Sequence, residues 1–312
     1  MSDVLDTTQS KTTTAGTAYT NQYLYPDGST ERACVTYRDD LGPTDPVTAL
    51  VLFHGFGGNE TNFALARYQA VRDTILDDGR FLVVQSNGQG KNCGNDAGSA
   101  DYLAALDYAQ RTFNVTDVIT MGESMGGLLA ALATVDNDWP TIAGVTGFSP
   151  VCDLEEFFAH STDFADAIQA AYSFTGAYDD VATDGHDPVH DFIATEYPTT
   201  TRWRLYASPG DPIVPKVDHS DALVTLVTGR APEALVVPCT GGHLSSDHFR
   251  PDDLMWFFER CIDDVTGQYN EPPPPGGLPT GSVFIKDGDT LRSARIYVRG
   301  PDDTLIPVSS VT

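Results

Sequence analysis

The sequence predicts an α/β protein with a mostly parallel sheet flanked by helices. From residue 48 onward, short apolar runs alternate with longer amphipathic segments, which is typical of parallel strands joined by helices. The first run, Thr48 to Phe53 (TALVLF), is apolar and ends in His-Gly, as expected for a strand buried on both faces. A chain of 312 residues has room for one domain of this class and a small appendage.

The N-terminal segments differ from this alternation. Residues 1–17 are rich in Thr and Ser and poor in apolar side chains, so we predict a flexible arm. From Ala18, two alternating runs (AYTNQYLY and ERACVTYR) flank the turn signal PDGS. This pattern predicts a β-hairpin.

Five further strands and five helices are predicted in alternation after TALVLF, within a main domain of residues 18–268. The strands are FLVVQS, DVITMG, TIAGVTGF, RWRLYAS and EALVVP; the helices are YQAVRDTIL, SADYLAALDYAQRTF, SMGGLLAALATV, VDHSDALVTLV and PDDLMWFFERCIDDV. Residues 149–200 interrupt this order with short helical pieces. We expect them to form a small cap over the carboxyl edge of the sheet.

A Pro-rich stretch within residues 269–281 (EPPPPGGLPTG) favours extended geometry and predicts a stiff linker. Residues 282–312 follow as short β-like runs separated by Asp-Gly and Gly-Pro, which is too little sequence to bury a core alone. We therefore expect a small β-rich tail that packs on the main domain or on another chain.

Charge and composition exclude several function classes. The chain has 44 acidic and 18 basic residues, a formal net charge of −26, so nucleic acid and anionic lipid surfaces are poor partners. No apolar run approaches the length of a membrane span. The start, MSDVLDTTQSKTTT, lacks the basic and apolar regions of a signal peptide, so no secretory signal is predicted.

The cysteines and the glycine-rich loops give no indication of a metal or cofactor. The five cysteines are widely spaced without a CxxC pair, which argues against zinc and against a dense disulfide framework. The spacing still allows one or two disulfide bonds. The loop HGFGGN lacks GxGxxG spacing, and GxxxxGK[ST] does not occur. We expect no metal and no cofactor.

The motif Gly-x-Ser-x-Gly occurs at residues 122–126, between a predicted strand and a predicted helix. In that position it works as a sharp turn that lifts the Ser124 hydroxyl above the sheet, and Gly122 and Gly126 let the backbone crowd together. The alternative is a glycine-rich turn with an ordinary N-capping serine. The strand before the motif and the helix after it favour a nucleophile.

An acyl-transfer nucleophile needs amide donors for the developing oxyanion. The loop HGFGGN follows the strand TALVLF, and the amide of Phe56, or failing that of Gly57, is one candidate donor; Met125, which follows the nucleophile, is the other. The alternative is a plain strand-to-helix loop. His54 is expected to be structural.

A serine also needs a base and an acid that orients the base. Asp211 lies in the loop SPGDPIVP after the strand RWRLYAS, and His243 lies in TGGHLSSDH after the strand EALVVP. Both loops are expected at the same sheet edge as Ser124. Three other residues, Asp247, His248 and His219, compete for these roles, whereas the cap histidines are expected to be solvated: His160, His186 and His190.

In order and approximate spacing, HGFGGN, GESMGG, SPGDPIVP and GGH resemble the motifs of the α/β-hydrolase superfamily, and within it the esterases and polyester depolymerases. The resemblance covers about residues 18–265. It implies an eight-stranded, mostly parallel sheet and a metal-free serine esterase mechanism on an ester substrate. A serine peptidase, or a binding module that keeps the fold without catalysis, remains an alternative.

The tail, with KDG, ARIYVRG and LIPVSS, resembles C-terminal segments of minor tail proteins of actinobacterial phages. This resemblance covers some thirty residues. It implies a virion location, host cell-envelope material as substrate, and other tail proteins or a second copy of the chain as partners. The alternatives are a cytoplasmic protein and a tail that completes the surface of the main domain.

Overall fold

The computed structural model describes residues 2–262 and four short strands beyond them. The chain divides into two compact units, Met1–Asp264 and Val265–Thr312. The boundary between the predicted main domain and the Pro-rich linker, at residues 268 and 269, lies outside the described residues.

The first unit is built on a nine-stranded sheet. Its strand order is β1-β2-β3-β5-β4-β6-β7-β8-β9. The first three strands pair antiparallel with one another and with β5, and all pairs from β5 to β9 are parallel. The strands are β1 Val4–Thr12, β2 Ala18–Tyr25, β3 Ala33–Arg38, β4 Pro46–Phe53, β5 Phe81–Ser86, β6 Asn114–Glu123, β7 Ile142–Phe148, β8 Arg202–Ala207 and β9 Ala234–Pro238.

Seven α-helices connect or flank these strands within the described residues. They are α1 Gln69–Asp78, α2 Asp96–Thr112, α3 Gly126–Leu132, α4 Leu154–His160, α5 Thr162–Tyr172, α6 Ala222–Val227 and α7 Pro251–Ile262. A π-helical turn at Val217–Asp221 precedes α6. This arrangement confirms the predicted α/β class.

Two apolar layers cover the two faces of the sheet. On one face, Tyr102 of α2, Leu129 of α3 and Val227 of α6 pack against alternate residues of the central strands. On the other face, Ile75 of α1 and Phe257 of α7 pack against the intervening residues. Because successive side chains of a strand point to opposite faces, strands that are apolar throughout are buried on both sides.

The N-terminal arm predicted over residues 1–17 is not a loose segment. Residues Val4–Thr12 form β1, which pairs antiparallel with β2 and makes the sheet nine-stranded instead of eight-stranded. All nine residues of β1 are exposed, so the strand has no buried face that an apolar pattern could reveal. Backbone hydrogen bonds to β2 and the β-branched threonines stabilise it instead.

The predicted cap contains α4 and α5, followed by irregular chain up to β8. Phe157 and Phe164 stack with ring centroids 4.1 Å apart, and they belong to an apolar cluster that includes Met125 and Val214. We call these residues the cap cluster. It places the cap directly against the chain segments that follow β6 and β8.

The second unit contains two antiparallel pairs among its described strands: β10 Val283–Asp287 with β11 Thr290–Ala294, and β12 Tyr297–Arg299 with β13 Leu305–Pro307. No helix of the described residues is long and apolar enough to cross a bilayer. All five cysteines are free thiols.

Candidate active site

Ser124 stands on a sharp turn between β6 and α3. Its φ is +50°, in the left-handed region, a conformation that costs free energy for a residue with a side chain. An ideal Cβ on Gly126 would lie 2.2 Å from the carbonyl oxygen of Phe53, and one on Gly122 would lie 2.7 Å from that of Gly126. Only glycine fits at either position, so the motif is required by the packing of the turn.

Hydrogen bonds to the side chain of Glu123, which precedes Ser124, stabilise the turn. Its buried carboxylate accepts two hydrogen bonds from the Arg67 guanidinium, at 2.7 and 2.8 Å, and one from the Asn62 side-chain amide at 3.2 Å. Neither Arg67 nor Asn62 is among the residues that the sequence predicts for the site. The contacts join positions 56 and 61 residues apart, and no local pattern indicates them.

The three residues predicted as nucleophile, base and acid meet at the carboxyl edge of the sheet. Nε2 of His243 lies 2.9 Å from Oγ of Ser124, and Nδ1 of His243 lies 2.8 Å from Oδ2 of Asp211. In the neutral ring, Nδ1–H donates to the carboxylate, and Nε2 is then the nitrogen that accepts the hydrogen bond of the Ser124 hydroxyl. This is the geometry in which a histidine removes the proton of a serine.

Asp211 is buried and fully hydrogen-bonded. Oδ1 accepts from the backbone amides of Ile213 and Val214, at 2.9 and 3.1 Å, while Oδ2 accepts from His243. Burial raises the pKa of Asp211, but the hydrogen bonds from His243 and the two amides outweigh burial and lower it to about 2. The carboxylate is therefore ionised throughout the neutral range and holds the ring of His243.

The loop after β4 passes beside the nucleophile. An ideal Cβ on Gly55 would lie 3.4 Å from Cβ of Ser124, and Gly57 has a φ of +75° that favours glycine. Met125 begins the turn into α3. The backbone amides of Phe56, Gly57 and Met125 donate to no acceptor in the described part of the chain, so the predicted oxyanion donors are not occupied by internal hydrogen bonds.

The residues that competed for the acid and base roles lie elsewhere. His219 is buried under the cap: Nδ1 accepts from the amides of Cys152 and Asp153, and Nε2 donates to Glu156 at 2.8 Å. His248 bonds to Ser149, and Asp247 bonds within its own loop. None of the three competitors is hydrogen-bonded to Ser124.

The other histidines have structural partners. His54 is buried, with its two ring nitrogens 2.8 Å from the Gly55 carbonyl oxygen and 2.9 Å from that of Asn87, as its expected structural role requires. Among the cap histidines, His186 lies 2.9 Å from an Asp96 carboxylate oxygen. The remaining cap contacts are His190 with Asp153 at 3.0 Å and His160 with Glu156 at 3.7 Å.

Aromatic side chains of the loop after β4 and of the cap lie beside the carboxyl edge of the sheet. The Phe56 ring lies edge-on to Phe164, with centroids 5.0 Å apart, and Lys91 Nζ lies 4.4 Å from the centroid of Phe56. The Gly/Asn-rich loop that carries Lys91 is tied to α5 by hydrogen bonds from Tyr172 Oη to the Cys93 carbonyl and from the Asn95 side chain to the Ala171 carbonyl. This loop and the cap cluster lie next to the strand-end loops that carry the candidate site.

Two groups of side chains bring potential metal ligands together: Cys239 with Asp247 and His248, and Asp153 with Asp187 and His190. In each group the carboxylates accept hydrogen bonds from the protein. Asp187 accepts from four backbone amides, and Asp247 accepts from Thr240 and Ser245. These hydrogen bonds explain the orientation of both carboxylates and allow Asp187 to be buried.

Comparisons with known proteins give the fold. No protein-family model and no curated protein sequence matches the chain. Solved structures do match. An esterase of Pyrococcus furiosus superposes with a TM-score of 0.55 at 14% identity, covering 80% of this chain and 92% of that one. Lipase A of Candida antarctica gives a TM-score of 0.56 at 13% identity, covering 85% and 83%.

A prolyl endopeptidase also matches, with a TM-score of 0.56 at 16% identity over 82% of this chain. Here the chain spans only 44% of the length of the peptidase. Identities this low establish the fold alone. With a parallel sheet flanked by helices and a Gly-x-Ser-x-Gly turn at its carboxyl edge, the chain has the α/β-hydrolase fold of these esterases, lipases and prolyl peptidases.

Proposed function

We propose that this protein is a serine hydrolase that cleaves carboxylic esters through a covalent acyl-enzyme. The observation that carries the proposal is the continuous hydrogen-bonded line from Ser124 through His243 to Asp211, with distances of 2.9 and 2.8 Å. A serine on a strained turn, an imidazole within hydrogen-bonding distance of it and a buried ionised carboxylate are the parts that nucleophilic acyl transfer needs.

In the first half-reaction, Oγ of Ser124 attacks the ester carbonyl carbon while its proton moves to Nε2 of His243. The carbonyl oxygen becomes an oxyanion, which the amides of Met125 and Phe56 (or Gly57) stabilise. The tetrahedral intermediate then collapses, the bond to the alcohol oxygen breaks, and His243 gives its proton to that oxygen. Asp211 stabilises the transient imidazolium.

In the second half-reaction, water attacks the acyl-enzyme and gives a proton to His243 Nε2. The bond between the acyl carbon and Oγ breaks, and the proton returns to Ser124. The products are the free acid and the restored enzyme. No metal or organic cofactor takes part in this cycle.

The surroundings of the site favour an uncharged, apolar acyl group. The half-buried rings of Phe56 and Phe164 lie beside the loop of Ser124 and pack on the buried Phe157, and apolar rings recognise apolar or aromatic groups through burial of surface area. The net charge of −26 disfavours anionic polymers as substrates. A neutral ester, including a polymeric one, fits both observations.

Kinetics with matched variants test the proposal. For short nitrophenyl esters, we expect Ser124→Ala and His243→Ala to lose activity by about 10⁴-fold or more. The controls are Ser10→Ala, on the exposed strand β1, and His186→Gln, in the cap. Loss of activity in Ser124→Ala and His243→Ala, together with the parent rate in both controls, supports the proposal. A Ser124→Ala protein with the parent rate refutes it.

A serine peptidase is the second candidate, and the structural similarity to a prolyl endopeptidase favours keeping it. The catalytic geometry serves esters and amides alike, because both pass through a tetrahedral oxyanion. Matched ester and amide substrates with the same acyl group distinguish the two. A kcat/KM for the amide that equals or exceeds that for the ester identifies a peptidase.

The binding-module alternative and the virion role need separate tests. Absence of hydrolytic activity and of reaction with an activated-serine probe would exclude the hydrolase and the peptidase and leave the binding module as the alternative. The virion role, with cell-envelope esters as substrates and tail proteins or a second copy as partners, rests on the resemblance of residues 282–312. Detection of the polypeptide in purified phage particles supports it, and its exclusive presence in uninfected cells contradicts it.

A further inference from the structure

A second serine-histidine pair lies buried beside the candidate triad. Ser149 follows the last residue of β7, and its Oγ lies 3.0 Å from Nε2 of His248. Ser149 is 1% exposed and His248 is 0% exposed, so neither reaches a substrate. Like Ser124, Ser149 has a positive φ, of +45°, which a residue with a side chain adopts only when its surroundings fix it there.

The direction of this hydrogen bond follows from the other side of the ring. Nδ1 of His248 lies 3.0 Å from the Ser245 carbonyl oxygen, which can only accept, so Nδ1 carries the hydrogen. The Ser245 hydroxyl is also 3.0 Å from Nδ1, and an Asp247 carboxylate oxygen is 3.5 Å away. Burial lowers the pKa of His248, which keeps the ring neutral. Nε2 therefore accepts a hydrogen bond from the Ser149 hydroxyl.

His248 belongs to the same loop as His243. Within that loop, Asp247 accepts from the amide and hydroxyl of Thr240, at 2.5 and 2.8 Å, and from the Ser245 hydroxyl at 2.8 Å. Leu244, next to the base, has a φ of +52°, so the loop holds a strained backbone there. These bonds make the loop internally rigid, and its position then depends on its attachments to the sheet.

Two side-chain hydrogen bonds tie this loop to the ends of neighbouring strands. Oγ of Ser208, after β8, donates to the Gly241 carbonyl at 2.7 Å, and Ser149, after β7, donates to His248. The second tie leads to the nucleophile, because the carbonyl of Phe148 accepts the amide hydrogen of Ser124 at 3.0 Å. The strand end that fixes Ser124 thus also fixes the loop of the base.

We propose that Ser149 and His248 form a positioning pair that holds the ring of His243 at hydrogen-bonding distance from Ser124. The pair acts through the loop and does not touch the reacting atoms. The catalytic consequence rests on the proposed function; the structural consequence, a fixed His243 ring, does not.

The test compares Ser149→Ala, Ser149→Gly, His248→Gln and the double variant Ser149→Ala/His248→Gln. Ser149→Gly removes the hydroxyl but relieves the positive φ, so it separates loss of the hydrogen bond from loss of folding. The matched control is His219→Gln, an equally buried histidine under the cap. Each protein is assayed for kcat, KM and urea unfolding, and by NMR for the downfield proton of the His243–Asp211 hydrogen bond.

We expect each single variant to lower kcat about tenfold with KM within about twofold, because a small displacement of the base slows proton transfer more than it weakens binding. The double variant should lower kcat by no more than the more damaging single variant does, since both substitutions remove the same hydrogen bond. The downfield resonance should broaden or disappear in these variants and persist in His219→Gln.

Parent kcat and an intact resonance in folded Ser149→Gly would overturn the proposal, and so would additive losses in the double variant. If the parent enzyme hydrolyses no ester, the proposed esterase function is wrong. The downfield resonance alone then tests the positioning pair. Its loss in Ser149→Gly then supports the positioning pair, and its persistence rejects it.

Discussion

Oδ2 of Asp211 lies 2.8 Å from Nδ1 of His243, although the two residues come from different loops and are 32 positions apart. The carboxylate fixes the tautomer in which Nε2 faces Ser124. Asparagine at position 211 can present its NH₂ group to Nδ1 and stabilise the opposite tautomer, which leaves Nε2 protonated and unable to act as a base.

We therefore expect Asp211→Asn to lower kcat by about 10⁴-fold with little change in KM. The measurement is steady-state hydrolysis of a short nitrophenyl ester. Asp218→Asn is the matched control, on the nearby π-helical turn, and should retain the parent rate. A loss of less than tenfold for Asp211→Asn would contradict the assigned role of this carboxylate.

The turn that carries Ser124 should tolerate no side chain at Gly126. A methyl group there would lie 2.2 Å from the carbonyl oxygen of Phe53, a backbone atom that cannot move without displacing β4. We expect Gly126→Ala to lower the free energy of unfolding by about 3 kcal/mol or more. Urea denaturation measures it.

Gly185→Ala is the control in which the added methyl group meets no clash. Gly185 has a φ of +80°, and an ideal Cβ there meets no heavy atom within 4 Å. Only the cost of the left-handed conformation applies, about 1 kcal/mol. Equal losses in the two variants would show that the carbonyl of Phe53 does not confine Gly126.

The ion pair of Arg67 with Glu123, the residue before Ser124, should contribute more to the free energy of unfolding than a surface ion pair does. Arg67→Met leaves Glu123, whose side chain is 3% exposed, without its cation. A buried carboxylate without a cation destabilises the folded state. We expect a loss of about 3 kcal/mol in the free energy of unfolding. The control, Arg38→Met, breaks a pair with the exposed Asp40 and should cost less than about 1 kcal/mol. Similar losses in the two would exclude a special role for the buried pair.

Acid should destabilise the protein partly through Asp211. Its pKa is lowered to about 2 in the folded state from an ordinary value of 3.8, so its ionised form favours folding. This contribution, about 2 kcal/mol, is complete above about pH 5 and is lost as the pH falls toward 2. Between those pH values, the parent protein should lose about 2 kcal/mol more stability than Asp211→Asn. Parallel pH profiles of unfolding would contradict the lowered pKa.

The parts of this molecule that follow from local sequence were predictable. Apolar runs that alternate with amphipathic helices give a parallel sheet, and the carboxyl ends of parallel strands share one edge. For that reason the sequence alone predicts that the loops of Ser124, Asp211 and His243 lie together. The structure brings the three side chains into hydrogen-bonding contact.

Other features depend on contacts that no local pattern encodes. Strand β1 is exposed on both faces and is held by backbone pairing, so its composition indicated a flexible arm. Arg67 and Glu123 meet across 56 positions, and Ser149 and His248 across 99. His248 resembled a candidate base because it stands in the same loop as His243, but its ring faces Ser149 at the end of β7.

Activation of Ser124 as a nucleophile is measured by the site and the rate of its reaction with a fluorophosphonate probe. Intact-mass spectrometry and peptide mapping measure both in the full-length protein. We expect one adduct, on Ser124, that is absent in Ser124→Ala and formed far more slowly in His243→Ala. No adduct on the folded protein, an adduct on another serine, or labelling of His243→Ala at the parent rate would contradict this activation.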